Sequence, residues 1–184
     1  MKRTLLAVCL CGAVSLVHAG GFKLASPEIK ANGVIPKSFE FNGFGCAGEN
    51  KSPALKWSGA PAGTKSFAVT AYDPDAPTGS GWWHWMVINI PADVSELPAG
   101  AGAVDSKTLP AGAVQNRIDY GVHGWGGVCP PQGDHPHRYI FTVHALKTEK
   151  IDVPADATAA LTGFMINANT LGKASFKATY GRPK

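Results

Sequence analysis

Apolar and polar residues alternate along much of this chain. Phe67, Val69 and Ala71 alternate with Ala68, Thr70 and Tyr72 over Ser66 to Tyr72, and Phe176, Ala178 and Tyr180 alternate with Ser175, Lys177 and Thr179 over Ala174 to Tyr180. A period of two sends successive side chains to opposite faces of an extended chain, so both stretches predict strands. Tyr139 to Leu146, rich in aromatic and β-branched residues, and the apolar run Trp85 to Ile90 before Pro91 predict two more. Shorter strands are expected at Phe22 to Leu24, Ser38 to Phe41 and Leu55 to Trp57, each bounded by Pro, Gly or Asn. One helix is predicted between Asp156 and Thr170, capped by Asp156, with Leu161, Phe164, Met165 and Ala168 at helical spacing. The sum is a mainly β fold: an antiparallel β-sandwich with one or two short helices, the predicted helix covering it.

The first residues follow another pattern. Lys2-Arg3 is a basic start, Leu5 to Val17 is an apolar run of 13 residues, and Val17-His18-Ala19 precedes Gly20. That order predicts a secretory signal peptide over residues 1–19, cleaved after Ala19, and the run is shorter than the roughly 20 residues of a membrane-spanning helix. A periplasmic or secreted location follows as an expectation. Residues 20–184 are then one domain, since no break in composition divides them. The signal holds two of the 17 basic residues and none of the 13 acidic ones, which leaves 15 against 13 and a net charge of +2 with histidines neutral. So mild a charge gives no argument for a nucleic-acid or membrane-surface partner.

Removing the signal also removes Cys9 and Cys11, leaving Cys46 and Cys129. A pair of cysteines in an exported chain invites one disulfide, and both lie among glycines on predicted loops that can approach one another; two reduced thiols are the alternative. The stretch from Pro91 to Pro131 is rich in Gly, Ala and Pro and has no sustained period. Loops of that length carry function or bind a partner, and Trp125 within it can offer an apolar patch for a homodimer or equally pack on its own domain.

Polar chemistry gathers at strand ends. Asp73-Pro74-Asp75-Ala76-Pro77 follows the strand at Ser66 to Tyr72, Trp82-Trp83-His84-Trp85 opens another, and His137-Arg138-Tyr139 begins a third. The first segment is a good turn in its own right, because proline fixes φ and aspartates accept backbone N–H bonds. It also holds a carboxylate where it can orient an imidazole. An imidazole and a guanidinium side by side favour a phosphate-like anion, while Arg138 can equally form a structural ion pair with Asp73 or Asp75. No serine or cysteine stands in a nucleophile-elbow pattern, so binding is expected rather than catalysis. His135 and His137 can chelate a metal, but Pro136 lies between them and no third ligand is evident, so no metal or other cofactor is assigned.

Taken together, Asp73-Pro74-Asp75-Ala76-Pro77, Trp83-His84 before a strand reaching Asn89, and Pro130-Pro131-x-Gly133 leading to His137-Arg138-Tyr139 resemble the phosphatidylethanolamine-binding protein family. Phe44-Gly45-Cys46 and Ser52-Pro53-x-Leu55-x-Trp57 extend the resemblance over nearly all of residues 20–184, and it is strongest to the family's bacterial YbhB/YbcL branch, in particular its exported type. The resemblance implies two antiparallel sheets and a small pocket for phosphate, acetate or a phosphoethanolamine head group. It places Asp73, Pro77, His84, Gly127, Pro130, His137 and Tyr139 at that pocket, with Asp75 and Arg138 as structural support. Imidazoles are expected to donate to the anion, Asp73 to hold a histidine in its donor tautomer, and anion affinity to fall as pH rises through the histidine range. The chain departs from eukaryotic relatives in running only a few residues past the Ala174 to Tyr180 strand, and kinase regulation does not carry over to an exported protein. A protein partner bound through the pocket, an inhibitor or effector acting through the 91–131 loop surface, and a phosphoester hydrolase complete the range of expectations.

Overall fold

The computed structural model describes residues 21–184. The predicted signal peptide lies outside the described residues. Eight strands and one helix are formed in the order β1 (Lys23–Ala25), β2 (Leu55–Ser58), β3 (Ser66–Asp73), β4 (Trp82–Pro91), β5 (Glu96–Leu97), β6 (Val114–Gln115), β7 (His137–Leu146), α1 (Ala159–Asn169) and β8 (Thr170–Tyr180). A three-stranded sheet, β1-β2-β5, packs against a five-stranded sheet, β6-β4-β3-β7-β8, and every named strand pair is antiparallel. This is the mainly β sandwich that the period of two predicts.

The larger sheet is covered on both faces. Phe67, Val69 and Ala71 of β3 join Trp57, Trp85, Trp125, Tyr139, Phe141 and Phe176 between the sheets. Ala68, pointing the other way, joins Met86, Ile88, Leu146, Ile151 and Ile166 beneath α1. Central strands β3 and β4 are therefore buried almost throughout, whereas β8 at the edge buries Ala174, Phe176 and Ala178 and exposes Lys173 and Lys177. Charged residues on an edge strand discourage pairing with another chain.

Two bulges shape β4. Between the pairs Phe67↔Ile90 and Val69↔Val87, one β3 residue faces two on β4, and Asn89 absorbs the extra residue at φ +59°. Its side chain accepts from Ile151 N at 2.7 Å and donates to Ile151 O at 3.3 Å. Between Ala71↔Trp85 and Tyr72↔Trp83 the extra residue is His84. A bulge re-aims the side chain it carries, and this one sits at the site described below.

Three sequence expectations are corrected, and the place of Trp125 is decided. Ser38 to Phe41 is not a strand: residues Lys37–Phe39 make one 3₁₀ turn after Pro36, which buries Phe39, and Glu40 contributes only an isolated bridge to Val128. Helix α1 starts later than Asp156 and is capped by Thr158, whose hydroxyl accepts from Leu161 N at 3.2 Å. Its buried face is Ala159, Thr162, Gly163 and Ile166, while Leu161 and Phe164 are exposed, because small residues let the helix approach Trp83 on the sheet. Trp125 is buried, packing on Trp85 and Phe141 at centroid distances of 6.0 and 6.2 Å, so it offers no surface patch to a second copy. The long 91–131 segment carries β5 and β6 and inserts Ala101, Ile118, Trp125 and Val128 into the two cores. No helix among the described residues is long and apolar enough to cross a membrane.

Candidate functional site

Strand β3 ends on Asp73, and the Asp-Pro-Asp turn closes on itself when Asp73 Oδ1 accepts from Asp75 N at 2.8 Å. Antiparallel pairing of β3 with β7 brings the end of one beside the start of the other. There His137 Nδ1 donates to Asp73 Oδ2 at 2.8 Å, with both side chains buried. One residue on, Arg138 clamps Asp75: its N and Nε donate to Oδ2, each at 2.8 Å, and its Nη2 donates to Oδ1 at 2.6 Å. The Arg138 hydrogen bonds hold the Asp75 carboxyl at a pKa of about 2. Of the two partners open to Arg138 in the sequence, the turn supplies Asp75.

His84 approaches from β4. Its Nδ1 donates to the Gly126 carbonyl at 2.7 Å, and Gly126 N donates back to the His84 carbonyl at 2.8 Å. Burial pushes the imidazole below its ordinary pKa. A neutral ring with its proton on Nδ1 presents a lone pair at Nε2. Both imidazoles are expected to donate; the neutral His84 ring instead presents an acceptor at Nε2. Burial pulls His137 down as well, but its hydrogen bonds to Asp73 and Asp134 outweigh burial and hold it above the ordinary range.

These groups surround one cavity of about 170 Å³. Asp73, Pro77, His84, Pro130, His137 and Tyr139, all singled out in the sequence, line it, together with Phe44, Ala76, Thr78, Trp82, Tyr120, Cys129 and Pro131. Gly127 does not line it. Its N–H donates to Asn50 Oδ1 at 2.8 Å, and a Cβ there would collide with the backbone of Phe39 to Phe41. Glycine is required at that position by close packing, and no cavity contact explains it.

Cys46 and Cys129 form a disulfide, with Cα atoms 6.1 Å apart, which ties the Gly43 to Cys46 loop to the cavity rim. Phe44, from that loop, stacks on Tyr120 at 5.7 Å and is 74% exposed at the mouth. Tyr120 is also met edge-on by Trp82 and His84, and its hydroxyl donates to the Gly127 carbonyl at 2.8 Å. Asp119 pins this tyrosine in place by accepting from Trp83 N at 2.8 Å. No periodic signal surrounds Tyr120 in the chain, and its role depends wholly on this docking.

Three buried polar atoms on cavity-lining residues, His84 Nε2, Trp82 Nε1 and Tyr139 OH, have no hydrogen-bond partner among the described residues. Buried groups of this kind ordinarily are bonded, and each left alone costs about 1 to 3 kcal/mol. The third ligand that the sequence lacked for His135 and His137 is also present: Asp134, His135 and His137 bring donor atoms within 4.8 Å of one another at the cavity's edge.

Comparison with known proteins places this geometry. The chain matches the model of the phosphatidylethanolamine-binding protein family over residues 25–181. It is 53% identical to the YbcL protein of Escherichia coli over 180 residues, 98% of each chain, and 50% identical to YbhB of the same organism over 86% of this chain and 99% of that one. The crystal structure of E. coli YbcL superimposes with a TM-score of 0.85 at 57% identity, covering 87% of this chain and 98% of the other. A homologue from Chlamydia trachomatis superimposes with a TM-score of 0.72 at 29% identity over 88% of this chain and 98% of its own. Sequence, fold and the paired strand-end motifs agree: this chain belongs to the phosphatidylethanolamine-binding protein family.

Proposed function

We propose that this protein is an exported, non-enzymatic binding protein whose cavity takes a small acidic group, such as phosphate or the phosphoethanolamine head group, free or carried by a protein partner. The observation that carries this reading is the set of unpartnered buried polar atoms on residues that line the cavity. Trp82 Nε1 and the Tyr139 hydroxyl are donors, and His84 Nε2 is an acceptor while the ring is neutral. Two donors and one acceptor suit an acid group that still carries one proton, a phosphomonoester monoanion being the simplest. Burial disfavours a charge on His137, but its hydrogen bonds to Asp73 and Asp134 outweigh burial and raise its pKa, which favours positive charge beside the cavity. The surrounding Phe44, Pro77, Tyr120 and Pro130 exclude water and strengthen each of these contacts.

Binding is favoured over turnover because no hydroxyl or thiol side chain at the cavity is set up to attack a phosphoester. The Thr78 hydroxyl donates to the Gly81 carbonyl at 2.6 Å, Cys129 is in the disulfide, and burial pushes the Tyr139 hydroxyl far above its ordinary pKa. The disulfide supports an oxidising compartment and so agrees with the predicted signal peptide. A phosphorus NMR titration with phosphate and phosphoethanolamine, run on the protein and on His84→Ala, tests the reading. Saturable broadening that is lost in the variant is expected; no saturable broadening in the unaltered protein, or equal broadening in both, overturns it.

A further inference from the structure

Asp134, His135 and His137 form a compact cluster where the turn before β7 meets the strand. Asp134 Oδ1 lies 2.9 Å from His135 Nδ1, and its Oδ2 lies 3.3 Å from His137 Nε2. Neighbouring donors around an ion with bonds of about 2.0 to 2.1 Å stand roughly 2.9 to 3.4 Å apart. Both pairs match that spacing, and one ligand atom from each of the three residues lies within 4.8 Å of the others.

Its setting is also that of a ligand set. His137 Nδ1 donates to Asp73 Oδ2 at 2.8 Å, which leaves Nε2 as the ring's ligand atom and supplies the carboxylate partner that commonly orients a metal-bound histidine. The turn is held by backbone bonds from Gly133 N to Arg182 O at 2.8 Å and from Asp134 N to Pro131 O at 3.2 Å. His137 is 1% exposed and anchors the cluster, while the side chains of His135 and Asp134 are 65% and 36% exposed and leave it open to solvent. Two imidazoles and a carboxylate suit divalent first-row transition ions and are a poor match to Mg²⁺ or Ca²⁺.

We propose that Asp134, His135 and His137 bind a divalent first-row transition cation, with Asp73 orienting His137 from behind. The ion takes the place of the hydrogen atom between His137 Nε2 and Asp134 Oδ2, and three protein ligands leave further coordination positions open. The site shares His137 with the anion cavity, so its test contains no phosphate and stands or falls apart from anion binding.

Tag-free protein is titrated calorimetrically with Zn²⁺ in phosphate-free buffer, and Co²⁺ is followed by visible absorption. One saturable equivalent is expected. Asp134→Asn and His135→Ala, both at exposed positions, should each weaken Zn²⁺ by about tenfold or more, the scale on which even an outer carboxylate partner counts. His123→Ala, on a histidine whose Nδ1 instead lies 3.2 Å from the Gln115 carbonyl, should leave the affinity unchanged. Nitrogen NMR of the imidazoles should show Zn²⁺ moving the His137 Nε2 resonance and leaving Nδ1 bonded to Asp73. Absence of a saturable equivalent, unaltered affinity in both exposed variants, or an unmoved Nε2 resonance overturns the site.

Discussion

On the proposed reading, a ligand proton shared with His84 would make binding steeply dependent on pH. Burial lowers the pKa of this ring, and its Nδ1 proton is committed to the Gly126 carbonyl, so Nε2 enters the encounter as an acceptor. Tyr120, Tyr139 and Trp125 pack around it, and the nearby carboxylates of Asp73 and Asp119 only soften the effect of burial. A phosphomonoester loses its second proton near pH 6, so its monoanion falls from half of the total at that pH to roughly 1% at pH 8. Phosphoethanolamine affinity should therefore drop roughly 50-fold between pH 6 and pH 8, about 2.3 kcal/mol. Calorimetric titration in metal-free buffer at pH 6, 7 and 8 measures it, and His84→Ala should lose about tenfold at pH 6, the value of one neutral hydrogen bond, with a shallower slope. A dissociation constant that is the same at pH 6 and pH 8, or smaller at pH 8, refutes the reasoning.

Further outcomes follow from other parts of the fold. His144 is buried, and burial followed by the Lys173 charge lowers its pKa to about 4. The unfolded chain takes up this proton near pH 6.5 and the folded one does not, so stability falls as pH is lowered from about 6.5 to 4, by about 3 kcal/mol in all; urea unfolding of His144→Gln should show a flatter acid limb. Replacing Cys46 and Cys129 together by alanine opens a crosslink spanning 83 residues and should cost about 4 to 5 kcal/mol by chain entropy, a loss below about 1 kcal/mol in denaturant unfolding counting against it. Gly127→Ala should destabilise by about 1 to 3 kcal/mol through its clash with Phe39 to Phe41, which thermal unfolding would register as a lowered midpoint. Phe164→Ser should change stability by no more than about 0.5 kcal/mol, because the ring is 69% exposed; a larger loss would mean that the helix buries the face its spacing suggested.

The contrast between Phe67 and Phe164 shows why some elements were legible and others were not. Alternation at Phe67, Val69 and Ala71 is a period of two, and such a period has one physical reading wherever the partner strand lies. On the helix, Leu161, Phe164, Met165 and Ala168 also recur at a regular spacing, yet the face of Ala159, Thr162, Gly163 and Ile166 was buried instead. The nearness of Trp83 decided that, and Trp83 is some 80 residues away in the chain. Ser38 to Phe41 failed for a related reason, since four residues carry too short a pattern to oppose Pro36 and the docking of Phe39.

By itself the chain determined the sandwich, the cysteine pair as a candidate bridge and the strand-end motifs, because strand periodicity, turn chemistry and residue type are local properties; the six expected residues that line the cavity came from the family resemblance those motifs carry. Only the tertiary structure decided which tryptophan faces the cavity, that Tyr120 joins it, that Gly127 serves packing and that Arg138 holds Asp75. Each of these depends on contacts between segments distant in sequence. The bulge at His84 is the clearest case, since one extra residue on β4 sets which side chain turns toward β7 and the loop at Gly126. No local pattern encodes that choice; it is made when the strands pair and their side chains compete for the same space.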